Sequence, residues 1–112
     1  MTATSPADPR RMPRLPVHLM ARCRTAAGMR DAAVLTDIST QGCGLRLHSL
    51  HVTRGMRVLI RPDGLEAIPG VVRWIAGEQV GVEFDAPLYG PVVDFLARTY
   101  DAARAAGTGA PD

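Results

Sequence analysis

The chain has 112 residues, a formal charge of +2 and two cysteines, which is room for one small domain with a single core. So small a net charge lacks the broad positive footprint of a duplex-DNA binder, and no DNA partner is expected. No apolar run approaches the ~20 residues that cross a bilayer, and the N-terminal stretch lacks the apolar centre of a signal peptide, so a cytoplasmic protein without membrane insertion is expected.

In that compartment Cys23 and Cys43 read as free buried thiols, because two cysteines without a histidine pattern make neither a disulfide framework nor a zinc site. All thirteen cations are arginine. Its planar fork suits phosphate and guanine, and its flat face stacks on bases.

Residues 1–16 carry Pro6, Pro9, Pro13 and Pro16, with Arg10, Arg11 and Arg14 among them and little to bury. This predicts a flexible N-terminal arm of extended, polyproline-like character. From Val17 the pattern alternates, with Val17, Leu19, Ala21 and Cys23 on one face and His18, Met20, Arg22 and Arg24 on the other, predicting a half-buried strand. Thr25 to Gly28 reads as a turn into a second strand, Arg30 to Thr36, and the corner Asp37 to Gly42 follows. A third strand points Cys43, Leu45 and Leu47 inward. A fourth, Met56 to Arg61, has Val58 and Ile60 on one face and ends at the turn Pro62-Asp63-Gly64. The fifth is expected to break with a bulge at Pro69-Gly70 and to resume as Val71 to Ile75; the sixth alternates Val80, Val82 and Phe84 inward. Helical spacing of Leu88, Val92, Phe95, Leu96 and Ala103 predicts an amphipathic helix over 88–106, with Pro91 tolerable in its first turn, before a tail at 107–112. Six short strands, each with one apolar face, must close or leave edges. An all-β fold is therefore expected: a small six-stranded antiparallel barrel over 17–87 with a C-terminal α-helix.

Two groups of residues stand out as chemistry. Arg10 and Arg14 lie four apart in the arm just before the first strand. Asp37, Ser39 and Gly42 lie together between two strands, offering a carboxylate acceptor, a hydroxyl and a residue that permits positive φ or close backbone approach. The RxxxR spacing alone carries little at this arginine content, since Arg57 and Arg61 repeat it inside a predicted strand as a solvated face. Its position before the first strand, with DxSxxG after the second, is the informative order. No catalytic constellation accompanies it: Ser39 has no evident activating base, and His18, His48 and His51 have no metal-ligand spacing. Trp74, Phe84, Tyr89, Phe95 and Tyr100 fall at expected core or helix positions, which argues against a single-strand nucleic-acid platform.

In these motifs the chain resembles the PilZ domain, a bacterial receptor family for cyclic di-GMP: RRMPR matches its RxxxR, DISTQG its D/NxSxxG, and VVRW followed by VGVEF its closing hairpin. The resemblance implies that the chain is not an enzyme and needs no cofactor. It implies that cyclic di-GMP is the ligand, held by Arg10 and Arg14 on phosphate and guanine and by Asp37, Ser39 and Gly42 as the complementary corner. Asp37 then either accepts from guanine N1 and N2 or orients an arginine, and Arg11 either stacks on a base or faces solvent. One departure is Gln41, where many members have glycine. Without an attached output domain, such a receptor is expected to act through an effector protein. The competing reading is a barrel of the same fold that works as a protein-interaction adaptor without nucleotide.

Overall fold

The computed structural model describes residues 13–48 and 51–101. Six strands, β1 (Leu15–Thr25), β2 (Arg30–Ile38), β3 (Gly42–Leu47), β4 (Arg57–Pro62), β5 (Ile68–Ala76) and β6 (Gln79–Phe84), precede one helix, α1 (Gly90–Thr99). All pairings are antiparallel and the sheet closes in the order β1-β2-β3-β6-β5-β4, so no strand is left as an edge.

The alternation seen in the sequence is the alternation of burial. Val17, Leu19, Ala21 and Cys23 of β1 are buried while the residues between them are exposed, and Cys43, Leu45, Leu47, Val58, Ile60, Val80, Val82 and Phe84 complete the same core. Val93 and Leu96 of α1 add to it from one end.

Four details depart from the expected elements. β1 begins at Leu15, and Leu15 and Pro16 pair with Ile38 and Asp37, so the last residues assigned to the arm belong to the barrel. β5 runs without interruption through Pro69 and Gly70, and its irregularity falls between Val72 and Trp74. Pro69 is tolerated because its backbone faces the far end of β6: its carbonyl accepts from Asp85 N–H at 2.9 Å, just past the last strand residue.

The helix is shorter than expected. Tyr100 N–H returns to Leu96 O, after which the chain is captured by β1: His18 N–H donates to Tyr100 O at 2.7 Å and Asp101 bridges Val17. Ala103 and the tail lie outside the described residues. Finally, Phe95, Tyr89 and Trp74 are exposed rather than in the core; on α1 the inward stripe runs through Val93 and Leu96, which turns Phe95 outward.

Candidate functional site

Asp37 owes its outward aim to a β-bulge. Leu35 pairs with Leu45 and Asp37 with Gly44, so Thr36 is an extra residue on β2 and the phase of the strand reverses there. Ala33 and Leu35 point into the core, and so does Ile38; without the extra residue Asp37 would share their face and bury its carboxylate. Instead Thr36 and Asp37 both lie over Gly44. A Cβ at Gly44 would sit 2.7 Å from Asp37 Oδ2 and 2.9 Å from Thr36 Oγ1, so this glycine is the seat of the carboxylate.

Arg14, immediately before β1, donates from Nη1 to Asp37 Oδ1 at 2.9 Å, with the two side chains 17% and 28% exposed. The two motifs are thus joined, in the arrangement where Asp37 orients an arginine. Arg14 is not on a free arm, because the pairing of Pro16 with Asp37 brings it against β2. Its Nε is buried and has no hydrogen-bond partner among the described residues. Arg10 and Arg11 lie outside the described residues.

Ser39 and Gly42 are placed differently from the open ligand corner expected of them. Ser39 is fully buried, and its Oγ accepts from Gln41 N–H and Gly42 N–H, each at 3.1 Å, and donates to Gly42 O at 3.3 Å. This is a serine turn closed on itself. Two outside bonds clasp it further, Phe84 N–H to Gln41 O and Leu88 N–H to Thr40 O. Gly42 does not have positive φ; a Cβ there would collide with the Val82 carbonyl oxygen, so its lack of a side chain admits β6. Gln41 sits exposed at the turn with no positive φ, and the conformation therefore does not require a glycine at that position.

Sequence reasoning missed the residues that continue this site across the barrel. Asp37 pairs with Gly44, Gly44 with Gly81, and Gly81 with Trp74, a single row over β2, β3, β6 and β5. A second bulge, at Arg73, turns Trp74 outward. Its indole lies directly on Gly81, where any Cβ would meet Nε1, and the side chain remains 37% exposed. The carboxylate and the indole therefore occupy neighbouring seats about 5 Å apart, the spacing of adjacent strands. A signal was present in the sequence: Gly44 and Gly81 stand in strands at outward positions, where a missing side chain marks close approach by another group. Among the described residues there is no group of three or more His, Cys, Asp or Glu placed to hold a metal ion.

The crystal structure of the PilZ domain of CeSA from a cellulose-synthesizing bacterium is similar in fold, with a TM-score of 0.56 at 18% identity, covering 81% of this chain and 97% of that one. No curated protein matches the chain. The model of the PilZ domain family matches residues 8–92, spanning the RxxxR, the barrel and the first turn of α1. A closed six-stranded barrel, an arginine docked on the aspartate of DxSxxG and a family match over most of the length agree: the chain belongs to the PilZ domain family, whose known role is binding cyclic di-GMP.

Proposed function

We propose that this protein is a cyclic di-GMP receptor that binds the nucleotide on the outer face of the barrel and passes the signal to a partner protein. The observation that carries this reading is the Arg14–Asp37 pair seated on Gly44 beside the partly exposed indole of Trp74. Arg14 offers a guanidinium to a phosphate or to guanine O6 and N7, with its orientation set beforehand by Asp37. Asp37 keeps Oδ2 as an acceptor for guanine N1 and N2 hydrogens. Trp74 supplies a flat surface on which a base can stack. Arg10 contributes the second guanidinium. Ser39 and Gly42 serve binding through the turn that follows Asp37 and joins β2 to β3.

Calorimetric titration with cyclic di-GMP tests the proposal. The wild type should bind, and Arg14→Ala and Asp37→Ala should each lose ~1.5–3 kcal/mol of binding free energy, the range for hydrogen bonds to charged groups. Arg57→Ala is the control, because Arg57 pairs with Asp85 away from the row. A wild type that gives neither heat nor thermal stabilisation with the nucleotide would leave the barrel as a protein-interaction adaptor. Among the described residues no helix is long and apolar enough to cross a membrane.

A further inference from the structure

At the opposite end of β1 the barrel carries a second cluster of charge. Arg22 pairs across the ladder with Arg61 of β4, and Arg24 with Arg30 of β2, so four guanidiniums form a block two residues long and three strands wide. All four side chains are exposed and line one open hollow of about 320 Å³, whose remaining wall includes Leu59 and Ala67. Directly opposed like charges destabilise a sheet. Three other arginines each hold a carboxylate: Arg14, Arg57 and Arg73 pair with Asp37, Asp85 and Glu83. No such pair is made by Arg22, Arg24, Arg30 or Arg61 among the described residues. The block is some 25 Å from Arg14, at ~3.3 Å per residue along β1, and so is separate from the nucleotide row.

Because the barrel is closed, a partner cannot add a strand to it and must dock through side chains on a face. We propose that the face of β4-β1-β2 centred on Arg22, Arg24, Arg30 and Arg61 is the docking surface for an acidic segment of a partner protein with apolar residues between its carboxylates. The carboxylates fit the exposed guanidinium forks of the block. The apolar residues fit Leu59 and the exposed Met20, which shares the outward face of β1 with Arg22 and Arg24 and whose flexible thioether adapts to varied partners. A nucleic acid fits less well: the block contains no aromatic side chain for a base, and part of its wall is apolar.

The test uses the whole chain and three fluorescent probes of equal negative charge: a peptide of glutamates spaced by leucines, the same peptide with serines for leucines, and a single-stranded oligothymidylate. At low salt the leucine peptide should bind tightest. The double substitution Arg22→Gln/Arg61→Gln should weaken it by about tenfold or more, equivalent to ~1.4 kcal/mol. Arg54→Gln, off the block, should leave it unchanged. The melting temperature of the double variant should stay level or rise, since a repulsion has been removed. Three results would each overturn the proposal: preference for the oligonucleotide, which would make the face a nucleic-acid surface; equal binding by the double variant; or no binding of the leucine peptide by the wild type.

Discussion

At the scale of single residues, the site is built by what glycines leave out and by what one hydroxyl holds in. Gly44 gives Asp37 room to meet Arg14. Gly44→Ala should force Asp37 aside and lower the affinity for cyclic di-GMP, while the melting temperature falls only slightly because the displaced group is the end of a side chain. Paired calorimetry and thermal unfolding separate the two effects, and unchanged affinity would show that Asp37 needs no such seat. Ser39 has the reverse profile. Ser39→Ala removes the acceptor of Gln41 and Gly42 N–H inside a buried turn, and should cost about 1–3 kcal/mol of stability as unsatisfied buried donors do. An unchanged denaturation midpoint in urea would mean that the turn is held by its clasps to Phe84 and Leu88 alone.

At the scale of elements, the bulges decide which side chains reach the surface. Each inserts one residue and so reverses the phase of a strand with a period of two; Thr36 turns out Asp37, and Arg73 turns out Trp74. Trp74 is the only tryptophan, so its emission reports the seat on Gly81. Gly81→Ala should push the indole off the barrel, shift its emission to the red and weaken nucleotide binding. Emission identical to wild type would place the ring elsewhere. On the inner face of β6, Phe84 packs in the core, and Phe84→Ala should cost roughly 3–5 kcal/mol by chemical denaturation. A loss below about 1 kcal/mol is too small for a buried aromatic and would contradict the inward phase of β6.

At the scale of the whole molecule, one core unites the strands and the helix, and both thiols lie inside it. Burial, reinforced by the charge of Asp31, pushes the Cys23 thiol up to about 11 from 9.0. Cys43 is pushed up further, by burial first and then by the charge of Asp37. Both folded-state values exceed the unfolded one, so the folded protein holds these protons more tightly. Their contribution is fully present below pH 9 and is lost as the pH rises from 9 through about 11 for Cys23, where unfolding releases protons. Unfolding midpoints measured across that window should fall with pH, and Cys23→Ala should flatten the slope. A slope identical in the variant would assign the alkaline loss to other groups. In native protein neither thiol should react with a maleimide faster than the chain unfolds.

The sequence by itself determined the number of strands, the inward face of the first, third, fourth and sixth, and the presence of the helix, because alternation with period two and spacing near 3.6 are written by the residues that must leave water. It also contained both motifs. It could not decide how these meet. Arg14 lies on the barrel rather than on the arm only because Leu15 and Pro16 find partners on β2, and a pairing between strands is a tertiary fact. Ser39 read as an open hydroxyl, yet its burial follows from Gly42 fitting against β6, far away in sequence. Trp74 read as core because an apolar residue near strand phase gives no sign of an inserted neighbour. Its exposure, and the row of Asp37, Gly44, Gly81 and Trp74, exist only once register aligns four strands side by side. The helix end shows the same division: spacing favoured continuing past Tyr100, but β1 offered the Tyr100 carbonyl and Asp101 extended partners, and that pairing stopped the helix.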